Sequence, residues 1–340
     1  MHANDNSSGR AWLGDGVRAG YVFPLGVATL RPCARRAFSA GLFLCLLRLL
    51  AANVFAAANL ATTANTLTVA TYNIENYNAA DRLTEVGYRT DYPKPETQKT
   101  ALRAVIRHLD ADVLALQEMG PRPFLDELRH DLKTEGLDYP YAAILEAEGI
   151  DPDRHLAVLS KRPFTSVKRH ADLTFKYFGG IENAKRGLLE VRLAVGGTEW
   201  TIFVVHLKSK LTERTDDPQS ELERAGEAEA VRDRVLKIFP DPAKAKFIIV
   251  GDANADRNER PLRALLKKGN TPITDWLPAA DSRGEVWTYF WQLHDTYERI
   301  DHALVSPGLR SAVKTAKIYD APETMKASDH RPLVVTLRTE

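Results

Sequence analysis

The chain has 340 residues, of which 44% are hydrophobic and 27% are charged, and its formal net charge at pH 7 is +1. These values are typical of globular proteins and exclude a chain that is disordered throughout. The length is sufficient for one large α/β domain with a sizeable core. Because the charge is balanced, the chain has no overall positive field to hold nucleic acid, and any attraction for phosphate must be local.

The first 58 residues differ in composition from the rest of the chain. A basic stretch at 31–36 precedes a mainly apolar stretch at 37–58 that ends in three alanines. This order predicts a signal peptide or N-terminal leader over residues 1–58 and an exported protein, periplasmic or extracellular. Two adjacent arginines in the basic stretch also resemble part of a twin-arginine export signal. The alternative is a membrane anchor. Arg48 opposes it, because an arginine costs about 2.5 to 3.5 kcal/mol at the centre of a bilayer, so we expect no stable anchor.

Both cysteines, Cys33 and Cys45, lie in this leader. Cleavage near Ala58 would leave a chain without cysteine, which excludes a disulfide, a thiolate nucleophile and a cysteine metal site. The leader carries six arginines and two aspartates, which leaves residues 59–340 with 40 basic and 43 acidic residues and a net charge of −3. That charge favours a small or lipid phosphoester over nucleic acid as a partner, although only mildly.

The first apolar run after the leader predicts a buried strand. It covers residues 67–72 and ends at Asn73 and Glu75. Polar residues 76–96 follow and predict a loop that overhangs the end of this strand. The spacing of the apolar residues in 97–109 then predicts a helix that packs on the sheet.

The next segments repeat this pattern. The run 112–117 predicts a second strand, which ends at Glu118, and the apolar residues in 124–132 predict another short helix. Residues 156–160 predict a further strand, and Arg154 comes just before it.

A β-hairpin and a charged region occupy the middle of the chain. Two apolar runs joined by a Gly-Gly pair predict the hairpin, whose second strand ends at His206. The charged region 208–233 follows and passes into a helix. It is either a solvated surface segment or, through Lys208, Lys210 and Arg214, the entrance for a substrate.

Polar residues also follow one more apolar run. Residues 246–250 predict a core strand, and Asp252 and Asn254 come directly after it. We expect Gly251 to let the backbone turn sharply at this point. The two polar side chains would then emerge at the carboxyl end of the strand, where open α/β sheets bind ligands.

Polar residues also flank the last two predicted strands. Asp301 lies in the strand 299–305, and Asp329 and His330 precede the strand 332–337. A cluster of aromatic residues at 287–291 lies between the strand that leads to Asp252 and the strand 299–305. Packing in the core or a loop explains this cluster better than stacking on a base or a lipid.

Six short motifs occur in a fixed order along the chain: Thr71-Tyr-Asn-Ile-Glu75, Leu116-Gln-Glu118, Val205-His-Leu-Lys-Ser209, Gly251-Asp-Ala-Asn254, Arg299-Ile-Asp301 and Ser328-Asp-His330. In order and spacing they resemble the endonuclease/exonuclease/phosphatase superfamily, the group of deoxyribonuclease I, over residues 66–338. The resemblance implies an α/β fold, a four-layer α/β sandwich with two packed mixed β-sheets flanked by helices. Ala253 departs from the family pattern, which usually has a larger residue there.

The resemblance also implies a metal site. Glu118 would be the chief metal ligand, with Asn73 and Asp329 close by. Such oxygen donors select a hard divalent ion, Mg²⁺ or Mn²⁺. Arg154 and Lys208 are candidates for contact with a substrate phosphate.

Catalytic roles follow from the same resemblance. Asp252 would orient or deprotonate a water, and Asn254 would position that water or a phosphate oxygen. His330 would transfer a proton or stabilise charge on phosphorus, because imidazole titrates near neutral pH. Asp301 would hold the other ring nitrogen of His330, and His206 would bind a second phosphate oxygen.

These expectations define a function. The chain is expected to be an exported, metal-dependent phosphoesterase that acts as a monomer and hydrolyses phosphodiesters by in-line attack of water. A nuclease acting on DNA or RNA is the first choice. A phosphatase or a lipid or small-molecule phosphodiesterase of the same fold is the alternative, and a catalytically silent binding module is a third possibility.

Overall fold

The apolar runs of the sequence form the central strands of two six-stranded β-sheets in a computed structural model, which describes residues 65–84 and 86–340. The expected leader at 1–58, with both cysteines, lies outside the described residues. The described residues form one compact unit.

Twenty strands occur in the described residues. In chain order they are β1 (Thr66–Tyr77), β2 (Ala79–Thr84), β3 (Gly87–Pro93), β4 (Val113–Met119), β5 (Tyr141–Leu145), β6 (His155–Ser160), β7 (Phe164–His170), β8 (Thr174–Tyr177), β9 (Gly180–Asn183), β10 (Leu188–Val195), β11 (Thr198–His206), β12 (Phe247–Asp252), β13 (Lys267–Lys268), β14 (Thr271–Pro272), β15 (Asp275–Trp276), β16 (Tyr289–Trp291), β17 (Thr296–Glu298), β18 (Asp301–Val305), β19 (Val313–Ile318) and β20 (Leu333–Arg338).

Helices connect these strands. They are α1 (Glu96–Leu109), α2 (Arg122–Thr134), α3 (Glu221–Ile238), α4 (Arg260–Leu266) and α5 (Thr324–Ala327), with 3₁₀ turns at Pro218–Ser220 and Pro307–Ala312. None of the helices among the described residues combines the length and the hydropathy needed to cross a bilayer.

Each large sheet is mixed and has a single parallel pair of strands in its middle. The first sheet has the order β19-β20-β1-β4-β6-β5, and only its β1 and β4 run parallel. The second has the order β15-β18-β12-β11-β10-β7, and only its β11 and β12 run parallel. The carboxyl ends of a parallel pair lie at the same edge of a sheet, so each sheet delivers two strand ends together.

Side chains alternate between two cores along each central strand. Ile248 and Val250 of β12 pack between the sheets, whereas Phe247 and Ile249 face the helices α3 and α4. The first sheet packs its outer face on α1 and α2 in the same way, and Leu102 of α1 is fully buried there. Burial of one such leucine stabilises the fold by roughly 1.5 to 3 kcal/mol. The layers are therefore helix, sheet, sheet and helix, as the sequence predicted.

The polar stretch 76–96 differs from the expected loop. Much of it is the β2–β3 hairpin, in which Ala79 pairs with Pro93 and Thr84 pairs with Gly87. Its side chains are largely exposed, including Leu83 and Tyr88. Because neither face of the hairpin is buried, the sequence has no apolar alternation to reveal it.

The expected sharp turn at Gly251 was also wrong. Gly251 lies inside β12, opposite Val205 of β11 and His302 of β18, and its φ is +141°. A Cβ atom at this position would overlap the carbonyl oxygen of Val205. Glycine is therefore required for the close approach of two backbones next to Asp252 and not for a turn.

We expect Gly251→Ala to destabilise the protein by about 3 kcal/mol, because the variant combines a disfavoured φ with a backbone clash. Gly197→Ala is the matched control, since Gly197 also has a positive φ, +74°, but no atom within 4 Å of the added Cβ. Its cost should be about 1 kcal/mol. Chemical unfolding of both variants measures the difference, and equal midpoints would contradict the assigned clash.

Candidate active site

The strand registers place three polar residues side by side in the second sheet. His206 at the end of β11 lies opposite Asp252 at the end of β12, and Asp252 lies opposite Asp301 at the start of β18. All three occupy positions of the same parity as the side chains packed between the sheets, such as Val204, so they point toward the first sheet. The edge where the two sheets meet therefore collects their side chains.

The first sheet supplies the facing residues. Asn73 of β1 lies opposite Gln117 in the register with β4, and Glu118 comes next. The amide nitrogen Nδ2 of Asn73 donates to Oε1 of Glu118 at 3.3 Å and to Oδ2 of Asp252 at 3.0 Å. Asn73 is buried and links the carboxylates of the two sheets across the gap between them.

His330 is held as a cation. Its Nδ1 donates to Oδ2 of Asp301 at 2.8 Å, and its Nε2 lies 3.9 Å from Oδ2 of Asp252 and 3.9 Å from Oδ1 of Asp329. Burial opposes the charged form, but the Asp301 carboxylate prevails and the pKa of His330 lies well above 6.5. Ser328 fixes the loop, because its Oγ accepts from the His330 amide at 3.0 Å and donates to the Asn73 carbonyl at 2.8 Å.

His206, unlike His330, is held as the neutral imidazole. Its Nε2 lies 3.6 Å from Oδ2 of Asp252 and 3.9 Å from Oε1 of Glu118. Burial, reinforced by the charge of Arg186, lowers the pKa of His206 well below 6.5. One neutral and one cationic imidazole thus flank the same carboxylate. Separated charge states of this kind are the pattern from which acid and base roles are assigned.

The carboxylates at this edge are crowded enough to call for a cation. Burial, followed by the charge of Asp301, raises the pKa of Asp252 to about 7. Burial also raises the pKa of Asp329 to about 7, and Glu75 and Glu118 add to this effect while His330 opposes it. Both carboxylates are buried beside further carboxylates, and a divalent ion would stabilise their charged forms.

The donor set fits a hard divalent cation. Glu118 and Asp329 offer carboxylate oxygens and Asn73 offers an amide oxygen, which suit Mg²⁺ or Mn²⁺. Asp252, Asp301 and His330 also lie close enough to one another to share an ion, with ligand atoms within 4.8 Å. Because Asp301 is already hydrogen-bonded to His330, this second group is better suited to moving a proton.

The Glu118 carboxylate is positioned by a strained β-bulge. Between the pairs Asn73–Gln117 and Tyr77–Met119, three residues of β1 face one of β4. Asn76 in this bulge donates its amide to Oε2 of Glu118 at 2.9 Å, and Asn76 and Glu118 have φ values of +49° and +61°. Such conformations cost of the order of 1–3 kcal/mol each and are found where function requires them.

Asn254 closes the carboxyl end of β12. Its amide donates to Oδ1 of Asp252 at 2.7 Å, and its Nδ2 donates to the Leu207 carbonyl at 3.0 Å. Ala253 between them is 1% exposed and packs in the core under α4. The small residue at this position therefore lies beneath the site and does not change the donors above it.

A cleft of about 350 Å³ opens between these groups. Its lining residues are Asn76, Glu118, Arg154, Arg186, His206, Ser209, Lys210, Leu211, Asp252, Asn254, Tyr289, Trp291, Glu298, Ile300, Asp329 and His330. Seven of the ten residues expected to act in catalysis, metal binding or phosphate binding are in this lining. Two more, Asn73 and Asp301, are hydrogen-bonded to the lining residues Asp252 and His330.

Two residues of the expected substrate entrance, Lys208 and Arg214, do not line the cleft, and Arg214 pairs with Asp216 at 2.7 Å instead. The ammonium of Lys208 donates to the carbonyl oxygens of Ser209 and Leu211, and Lys210 of the same loop lines the cleft instead. Lys210 Nζ lies 2.6 Å from Oε2 of Glu298. Both lysines were visible in the charged region, but its spacing could not tell which of them faces inward.

The aromatic cluster at 287–291 divides between two roles. Tyr289 and Trp291 line the cleft, and the Tyr289 ring lies 4.8 Å from the His330 ring. Trp287 packs against the guanidinium of Arg331 at 3.4 Å from its ring centre. Packing was the preferred interpretation of the whole cluster. Trp287 packs in this way, whereas Tyr289 and Trp291 also line the cleft.

Comparisons with known proteins agree with this architecture. A model of the endonuclease/exonuclease/phosphatase family matches residues 70–330. A search of curated proteins gives no match.

Solved structures similar to this chain have low sequence identity to it. The human Nocturnin catalytic domain, which has a bound sulfate anion, is 16% identical over 80% of this chain and 94% of its own, with a TM-score of 0.55. Sphingomyelinase C from Streptomyces griseocarneus is 18% identical over 80% and 99%, with a TM-score of 0.54. Truncated TDP2 from Caenorhabditis elegans is 17% identical over 80% and 97%, with a TM-score of 0.53. At these identities the likeness shows a shared fold.

Proposed function

This chain belongs to the endonuclease/exonuclease/phosphatase family, whose members are typically metal-dependent hydrolases of phosphoester bonds, and from that premise we propose that it hydrolyses phosphodiesters. The single observation that carries the proposal is the environment of Asp252. Its Oδ2 lies 3.0 Å from Asn73, 3.6 Å from a neutral histidine and 3.9 Å from a cationic one. This is a carboxylate placed to accept a proton between two groups that can hold phosphoryl oxygens.

The reaction is an in-line displacement at phosphorus. Asp252 orients the attacking water and takes its proton as the new P–O bond forms and the bond to the leaving oxygen breaks. Asn254 positions that water or a phosphoryl oxygen. Cationic His330, held by Asp301, stabilises the negative charge that develops on the phosphoryl group, and His206 binds a second oxygen.

Glu118, Asn73 and Asp329 would hold the divalent cation, Mg²⁺ or Mn²⁺. When bound, it supplies Lewis-acid stabilisation of the negative charge on the phosphoryl oxygens. The bulge residue Asn76 keeps the Glu118 carboxylate in place through its amide. Asn73 donates to both Glu118 and Asp252, so it sets the distance between the metal ligand and the base.

The preferred substrate is DNA or RNA. Two arginines and a lysine line the cleft together with Tyr289 and Trp291. Phosphate-binding cations beside aromatic rings are how proteins hold single-stranded nucleic acid. The expected leader supports an exported protein that meets nucleic acid outside the cytoplasm.

A lipid or small-molecule phosphodiester is the second candidate. The net charge of −3 after the leader, the 74% exposed Leu211 in the cleft lining and the similarity in fold to a sphingomyelinase favour it. A phosphatase of the same fold uses the same groups.

Metal removal tests the hydrolytic function. We expect the purified protein to cleave at least one of single-stranded DNA, RNA, sphingomyelin and bis(p-nitrophenyl) phosphate with Mg²⁺ or Mn²⁺. Excess chelator should abolish turnover, and added metal should restore it. Turnover that survives the chelator would contradict the metal site, and inertness on the whole panel would favour the silent binding module.

A further inference from the structure

We propose that Arg154 and Arg186 form a second anion subsite that binds the phosphate next to the scissile one, which makes the substrate a nucleic-acid strand and not a choline phosphodiester. The inference rests on the proposed hydrolytic function and specifies its substrate. Arg186 was not among the residues that the sequence singled out.

Arg186 is a buried cation that leaves most of its hydrogen-bond donors unused among the described residues. It is 8% exposed, lines the cleft, and makes one hydrogen bond among the described residues, a long one of 3.5 Å from Nη1 to the Leu207 carbonyl. Its Nε has no hydrogen-bond partner there. A buried guanidinium with unused donors is costly unless a ligand completes it.

The backbone holds Arg186 in this place. Gly187, the next residue, has a φ of +66°, and a Cβ there would lie 2.6 Å from the His170 carbonyl oxygen. The chain can therefore enter β10 along this path only with glycine after Arg186. Arg186 therefore lies in a bend of fixed path, two residues before β10 begins at Leu188.

One carboxylate orients both arginines. Oδ2 of Asp151 lies 3.4 Å from Nε of Arg186 and 3.8 Å from Nη1 of Arg154. Oδ1 of the same residue accepts the Arg154 amide at 3.1 Å, and the Asp151 amide donates to the Lys185 carbonyl at 2.6 Å. Asp151 therefore fixes the two guanidiniums relative to one another, and both arginines line the cleft.

The pair flanks the reacting groups. Arg154 donates from Nε to Oδ1 of Asn76 at 2.8 Å, and Asn76 holds Glu118. Arg186 reaches the carbonyl of Leu207, the residue after His206. An anion on these arginines would therefore be a neighbour of a phosphate bound between Glu118 and His206. Successive phosphates of a nucleic-acid strand provide such an anion, whereas the trimethylammonium group of choline would be repelled.

Two dinucleotides test the subsite. The diester bonds of pTpT and TpT are the same, and only pTpT has an additional terminal phosphate. We expect the wild-type protein with Mg²⁺ to cleave pTpT with a kcat/KM about tenfold or more above that of TpT. Arg186→Gln should reduce this ratio to within about twofold of unity. Arg234→Gln is the matched control, because Arg234 is a partly buried arginine that pairs with Asp172 outside the cleft, and its ratio should stay at the wild-type value.

The outcomes separate the two proposals. Equal rates on pTpT and TpT in the wild type, or an unchanged ratio in Arg186→Gln, would overturn the subsite. Cleavage of sphingomyelin without cleavage of pTpT would also overturn it while supporting the hydrolytic function. If no diester is cleaved, the hydrolytic function fails, and calorimetry in chelator still decides the subsite. Binding of pTpT should then be about tenfold tighter to wild type than to Arg186→Gln, and equal affinities would refute it.

Discussion

Asp252→Asn should lower kcat on a cleavable diester by about 10²- to 10⁴-fold, because the amide keeps the shape of the carboxylate and loses its capacity to accept the proton of water. Asp256→Asn is the matched control. Asp256 is exposed, lies four residues after Asp252 in the loop that follows β12, and accepts the Asn258 amide at 3.0 Å. The control should retain wild-type turnover. Near-normal kcat in Asp252→Asn would show that another group is the base.

Asp252→Asn should be as stable as the wild type, and the pH dependence of unfolding of the two proteins should show why. Burial and then Asp301 raise the pKa of Asp252 from the ordinary 3.8 to about 7. The folded chain therefore binds this proton more tightly than the unfolded chain. The resulting stabilisation is complete below pH 4 and is lost as the pH rises toward 7. In chelator, urea midpoints of wild type should fall over this range, and those of Asp252→Asn should fall less. A variant that is less stable at pH 8 would indicate that Asp252 is structural.

His330→Ala should lower kcat by about 10²- to 10⁴-fold, and Asp301→Asn should lower it through the same histidine. The 2.8 Å hydrogen bond between Asp301 and Nδ1 of His330 makes the two residues one unit. The double variant should therefore be little worse than His330→Ala alone, since residues that act together are not additive. Turnover of the three variants on one diester measures this coupling.

His294→Ala is the control for loss of a histidine near the cleft. His294 is exposed, and its ring lies 4.1 Å from that of Trp291 without contact to the carboxylates. It should retain most of the wild-type kcat. If the losses from His330→Ala and Asp301→Asn multiply in the double variant, Asp301 acts independently of the histidine and its role as a positioning residue is wrong.

Much of the fold was predictable because the central strands are buried on both faces. The run that leads to Asp252 is apolar at every position, since its side chains pack alternately in two cores. Such strands stand out in a sequence and end where polar residues begin. For this reason Glu118, His206 and Asp252 were found at strand ends before their contacts were known.

The remaining features depend on contacts that leave no periodic signal. The β2–β3 hairpin is exposed on both faces, so its sequence is that of a polar loop. Arg186 precedes a strand among other charged residues, and only the tertiary structure shows that it is 8% exposed. The choice between Lys208 and Lys210 depends on the path of a single loop. Gly251 looked like a turn residue because the backbone that requires glycine there, at Val205, belongs to a different strand.

The first and last strands of the domain are neighbours, since Thr66 of β1 pairs with Arg338 of β20. Asp329 and His330 immediately precede β20, and Ser328 ties their loop to β1. A chain still emerging from the ribosome therefore has no complete cleft until residues up to Arg338 have been made. We therefore expect an incomplete chain to lack the proposed hydrolytic activity, because the groups synthesised first depend on those synthesised last.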